Sequence, residues 1–77
     1  MTTAEERMLR AIAVYSEREG FPPSMQDIAD EAGYKTRTWA FDVLARLVEQ
    51  GFITRKLGQA RSVLITEKGQ EVLGEWR

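Results

Sequence analysis

Apolar positions along the chain change rhythm twice, and each rhythm predicts a kind of element. Met8, Leu9, Ile12 and Tyr15 recur at the three- and four-residue intervals that place side chains on one face of a helix. Thr3-Ala4-Glu5-Glu6 fits a capping box with Thr3 as N-cap and Glu6 as its partner, and the helix it opens runs to Glu19, stopping at Gly20. Val14 falls on the far side and is expected to be exposed. Pro22 and Pro23 then force extended backbone and prevent the helix from continuing. Ser24 is the expected cap of a second helix, with Asp27 in its first turn complementing the helix dipole. Met25, Ile28, Ala29 and Ala32 form its buried stripe, and Gly33 supplies a left-handed stop with Tyr34 packing back under the turn.

Thr36 is the expected cap of a third helix extending to Gln50 and stopping at Gly51. Ala40, Leu44 and Leu47 form its core line, with Val43 and Val48 flanking. Arg37, Thr38, Trp39, Phe41, Asp42 and Ala45 occupy the opposite arc. After Gly51 the pattern changes to short β-rich runs, Phe52–Leu57 and Arg61–Thr66, around Gly58-Gln59-Ala60, which predicts a hairpin. Thr66 caps a last short helix from Glu67 to about Trp76, burying Val72, Leu73 and Trp76. Helices two and three, joined by a short turn, have the frame of a helix-turn-helix, whose second helix enters the DNA major groove. The expected fold is therefore mainly α (α+β): a winged helix-turn-helix of three helices, a two-stranded β-hairpin wing and a short C-terminal helix. Residues 1–77 are expected to form a single domain, without repeats or linkers.

Charge at first argues against nucleic acid, because the whole chain carries −1 with an isoelectric point near 5.4. Its distribution reverses the argument. Residues 1–33 sum to −4, and residues 62–77, with Lys68 and Arg77 against three glutamates, to −1. Residues 34–61 carry Lys35, Arg37, Arg46, Arg55, Lys56 and Arg61 against Asp42 and Glu49, a net of +4. Local basic surface matters more for phosphate contact than whole-chain charge. Cysteine and histidine are both absent, which removes disulfides, the usual zinc ligands, the commonest general base and any Ser-His or Cys-His dyad. No catalytic constellation, cofactor motif or metal site is visible, so an enzyme is not expected. There is no signal peptide and no apolar run near the ~20 residues a membrane span needs, so a cytoplasmic protein with no membrane partner is the expectation.

The series Phe21-Pro22-Pro23-Ser24, Ile28-Ala29, Gly33-Tyr34, Leu44, Leu47 and Gly51-Phe52-Ile53 resembles the N-terminal DNA-binding domain of the LexA repressor family over roughly residues 5–65. The tail Ile65-Thr66-Glu67-Lys68-Gly69-Gln70-Glu71-Val72-Leu73 instead looks like the post-wing helix of winged-helix regulators of the MarR and PadR sort. The resemblance implies a winged-helix repressor that binds double-stranded DNA. LexA-type repressors also carry a self-cleaving, dimerising C-terminal domain with a Ser-Lys pair; these residues hold no counterpart, so self-cleavage is not among the expectations. Where that family tends to small and polar residues on the recognition helix, this chain has Trp39 and Phe41, so an operator sequence does not transfer.

Two functions follow. The first is a small sequence-specific, repressor-like regulator, with helix 36–50 in the major groove and wing 52–66 on the backbone or minor groove. Arg37 and Thr38 open helix three, where residues reach base edges, and Asp42 is expected to orient an arginine or disfavour wrong sequences. Lys35, Arg55, Lys56 and Arg61 are the candidate phosphate or minor-groove cations, with Lys35 and Arg61 favoured for phosphate and Arg55 and Lys56 pointing opposite ways along the strand. One such module has a small footprint, so specificity calls for a homodimer or a neighbouring protein, with the last helix or the exposed part of helix one as the joining surface. The alternative is a protein-interaction adaptor using Trp39 and Phe41. For these two aromatics DNA contact, protein contact and core packing are all open readings.

Overall fold

The elements run α1 (Thr3–Glu19), α2 (Met25–Ala32), α3 (Arg37–Glu49), β1 (Ile53–Thr54), β2 (Leu64–Ile65) and α4 (Glu67–Glu75). The computed structural model describes residues 1–76; Arg77, counted among the charges above, lies outside them. The order is that of a winged helix-turn-helix, mainly helical with one antiparallel two-stranded sheet.

Capping sets the helix boundaries. Helix α1 starts on Thr2 rather than Thr3: the Thr2 hydroxyl accepts the Glu5 amide at 3.2 Å, and the Glu5 carboxylate accepts the Thr2 amide at 3.1 Å. Tandem Thr-Thr and Glu-Glu satisfy the capping pattern in two frames. The earlier frame adds one turn hydrogen bond, Glu6 to the Thr2 carbonyl at 2.9 Å, and frees Glu6 to pair with Arg10. Helix α2 carries the expected Ser24 cap, here a full box in which Ser24 and Asp27 exchange both bonds. The turn to α3 needs a residue at φ 76, which Gly33 occupies without strain. Tyr34 does fold back, its hydroxyl donating to the Ala4 carbonyl and tying the turn to the start of α1.

The core lies where the first three helices meet the base of the sheet. Met8, Leu9 and Ile12, Ile28 and Ala29, and Ala40, Val43, Leu44 and Leu47 close on Phe52, Ile53, Val63 and Leu73. Val43 is fully buried rather than flanking, whereas Val48 is 40% exposed, because the buried stripe of α3 is centred between α1 and α2. Val14 is exposed as expected, and Met25 is only half-buried.

The hairpin is shorter than its β-rich runs suggest. Only Ile53 with Ile65 and Thr54 with Leu64 pair. Beyond them the Lys56 amide turns to the Ser62 hydroxyl at 3.0 Å, so a side chain replaces the ladder and the wing tip is a loop. Helix α4 docks on the sheet through Thr66, whose hydroxyl caps Gly69 and donates to the Gly51 carbonyl at 2.6 Å. Lys68 reaches the Gln50 carbonyl at 2.8 Å. Leu73 is buried, and Trp76 is half-buried beneath the Arg10 guanidinium, 4.8 Å from its ring.

Two glycines of α4 predict opposite outcomes. A Cβ on Gly69 would stand 2.3 Å from the Phe52 carbonyl oxygen and 2.7 Å from an Ile65 methyl. Backbone cannot yield there, so Gly69→Ala is expected to cost about 1–3 kcal/mol despite alanine's better helix propensity. Gly74 faces open space, and Gly74→Ala is expected to stabilise by about 0.5–1 kcal/mol. Urea denaturation of both variants checks the pair; stabilisation by Gly69→Ala would mean that α4 is not seated on the sheet.

Acid should loosen the capping boxes. The Ser24 amide, joined by the Ser24 and Tyr15 hydroxyls and the Arg61 charge, lowers the Asp27 carboxyl to about 2, against an ordinary 3.8. Glu5 shifts the same way, chiefly through the Thr2 amide. Between the two Asp27 values the unfolded chain binds more protons, so its contribution is complete above pH about 4 and lost as pH falls toward about 2. Melting temperatures taken from pH about 5 downward should fall, and Asp27→Asn should flatten part of that slope. An equal slope in the variant would show that Asp27 titrates normally.

Candidate nucleic-acid interface

Burying Ala40, Val43, Leu44 and Leu47 turns the other side of α3 outward. Arg37, Thr38, Trp39, Phe41, Asp42 and Ala45 are all exposed, as the spacing predicts. Thr36 caps the helix by accepting the Trp39 amide at 3.3 Å, which sets Arg37 and Thr38 on the first turn. Their side chains make no hydrogen bond or ion pair with the described residues, and the same holds for Lys35 and Lys56. Four polar groups are thus available to a ligand without breaking anything in the protein.

Trp39 and Phe41 are 45% and 38% exposed, which overturns the core reading for both. Each instead carries a guanidinium on its ring. Arg46 lies 5.8 Å from the Trp39 centroid, and Arg55 lies 5.1 Å from that of Phe41. Stacking of this kind is favourable even at exposed sites and covers part of the apolar surface. Asp42 accepts from Arg46 at 3.0 Å, one turn apart. Both partners are about half exposed, so this pair adds little stability and mainly fixes where the guanidinium sits.

Arg46 stands on this face as well, outside the expected set of residues. Its signal lay in the sequence: Trp39, Asp42 and Arg46 stand three and four residues apart on one helical stripe. Arg7 of α1 lies beside this face, and no local pattern marks it. It joins Thr3, Tyr34, Lys35, Thr36 and Trp39 around an open depression of about 550 Å³ beside the start of α3.

The wing shares this face. Stacking of Arg55 on Phe41 sets the exit of β1 against the exposed side of α3, and Lys56 follows on the loop. Lys35, Arg37, Arg46, Arg55 and Lys56 against Asp42 and Glu49 leave this surface positive, although the chain as a whole carries −1.

Arg61, unlike Lys35 and Lys56, has partners within the protein. Half exposed, it reaches from the wing toward α2, its Nη1 lying 2.9 Å from Asp27 Oδ2, 3.2 Å from the Pro22 carbonyl and 3.2 Å from the Tyr15 hydroxyl. The acidic first turn of α2, not the open face, has claimed its charge.

Comparison with known proteins identifies the family. A family model described as the LexA DNA binding domain matches residues 1–62. A LexA repressor of Magnetococcus marinus is 38% identical over 71 residues, covering 92% of this chain and 30% of that protein. LexA repressors of Anaeromyxobacter sp. and Limosilactobacillus reuteri are 31% and 33% identical, over 96% and 75% of this chain and 32% and 28% of theirs. The chain therefore spans about a third of the length of the relatives it matches.

Proposed function

The chain belongs to the family of LexA DNA-binding domains, and from that premise we propose that residues 1–77 act as one winged-helix unit that binds double-stranded DNA and represses transcription. In this reading α3 lies in the major groove. Arg37 and Thr38 meet base edges, Arg being suited to guanine and Thr to a thymine methyl. Asp42 holds Arg46 in register with the same groove. Lys35 and the wing residues Arg55 and Lys56 sit on the flanking phosphates or minor groove. Repression follows from occlusion of the promoter, a non-catalytic act.

One observation carries the reading. The first turn of the second helix-turn-helix helix presents Arg37 and Thr38 with no partner among the described residues, on a surface where five cations outnumber two acids, Asp42 and Glu49. A surface held apart by like charge is best satisfied by a polyanion. A module of this size buries only ~600–1,000 Å², so two copies on a palindromic site would supply useful specificity.

A second reading has its own support. Trp39 and Phe41 are large exposed aromatics of the kind that anchor protein interfaces. As an adaptor, the chain would use the same α3 face for a partner protein.

Fluorescence anisotropy with a randomised duplex pool, titrated across salt and followed by selection, separates the two. Arg37→Ala should cost about 1–3 kcal/mol and relax preference at one position, whereas Lys56→Ala should weaken binding uniformly and lower the salt slope by about one. Absence of binding at low salt would reject the DNA reading and favour the adaptor.

A further inference from the structure

Arg61 is the one residue other than glycine, among those described, with a left-handed backbone, at φ 57. An L residue holds that conformation only where its surroundings over-determine it. Here three segments converge on its guanidinium. Tyr15 comes from α1, the Pro22 carbonyl from the turn after it, and Asp27 from the first turn of α2. The ring of Phe21 lies 4.9 Å beneath the guanidinium carbon and meets Tyr15 edge-on, with centroids 5.9 Å apart. Asp27 is itself immobilised, because the Ser24 amide holds the same oxygen, Oδ2, at 3.0 Å.

The loop that Arg61 ends has few other supports. Gln59 donates to the Lys56 carbonyl at 3.2 Å, and the Ser62 hydroxyl bridges Lys56 and Gln59. Leu57 is 86% exposed, so its side chain does not anchor the tip.

We propose that Arg61 is a positioning residue that clamps the wing to the start of α2 through Asp27, setting where Lys56 and Arg55 stand relative to α3, and that it is not itself a phosphate ligand. The proposal rests on the DNA-binding reading above. A phosphate ligand gains from net positive charge, yet Arg61 is neutralised by Asp27. Drawing it onto DNA would sacrifice that ion pair, the Pro22 and Tyr15 bonds and the Phe21 stack together. Lys56 has nothing comparable to give up.

The two roles predict opposite signs for one substitution. Asp27→Asn removes a negative charge near DNA, so electrostatics alone would tighten binding. The clamp predicts that it weakens binding about fivefold, the scale of one well-held partly exposed pair, with the salt slope unchanged. Arg61→Ala should weaken binding by a similar factor, and the double variant should be no worse than the weaker-binding single, since both break one contact. In the protein free of DNA, amide exchange at Lys56 and Gln59 should quicken in both variants, while the global unfolding temperature of each drops far less than wing protection does.

Tighter binding by Asp27→Asn, with Arg61→Ala losing about 0.9 of the salt slope, would make Arg61 a direct phosphate contact and overturn the clamp. Unchanged exchange at Lys56 and Gln59 in both variants would overturn it without any reference to DNA. Failure of the parent reading is recognisable separately, as absence of DNA binding by the unsubstituted chain, and the exchange measurement still decides the clamp in that case.

Discussion

Everything outward in this structure depends on how α3 is divided. Ala40, Val43, Leu44 and Leu47 are each fully buried against α1, α2 and the sheet base. That packing leaves no rotational freedom: turning the helix by one residue would put Phe41 or Ala45 into the core and Arg37 against apolar neighbours. Interiors are packed too densely to absorb such a change. The core therefore specifies which side chains face outward, and the interface is the remainder of a packing solution. Both short helices of the turn motif begin on a hydroxyl cap, so their first turns are fixed as firmly as their buried stripes.

Around that helix the protein uses arginine as a structural material. Four arginines rest on aromatic rings near the interface or the wing: Arg18 on Tyr15, Arg46 on Trp39, Arg55 on Phe41 and Arg61 on Phe21. A planar guanidinium can cover a ring and still present donors at its edge. Arg46 and Arg55 use this to make exposed aromatics tolerable while keeping positive charge on the face. Arg61 uses it while tying the wing to Asp27 and Tyr15. A small domain with little core to spare gains wing order in this way without further apolar residues.

The parts of the fold legible in the sequence are those written in local spacing. The apolar stripes of α1 and α2, the Ser24, Thr36 and Thr66 caps and the Gly20 and Gly33 stops all rest on residues within four positions of one another. The outward arc of α3 was legible for the same reason. The Thr2 cap was not, because two overlapping frames fit equally well and only an added hydrogen bond separates them. Val43 and Val48, both expected to flank the core line, part ways, one buried and one exposed, because the centre of a stripe is set by neighbouring elements. Fates that depend on distant partners were hidden: Arg61 meets Asp27 from 34 positions away and Tyr15 from 46. Local spacing does not separate a core from an exposed place for Trp39 and Phe41, which sit at the edges of the outward arc, and Arg7 becomes a neighbour of Lys35 only through the docking of α1 on the turn.

The central claim is that the α3 face and the wing form one surface for DNA. Amide chemical-shift mapping of the labelled protein, titrated with a selected duplex, tests it most directly. The account predicts shifts concentrated at Lys35–Arg46 and Arg55–Gln59, with Val14 on α1 and Leu73–Trp76 on α4 unmoved. Shifts confined to α1 and α4, with the α3 face silent, would contradict it.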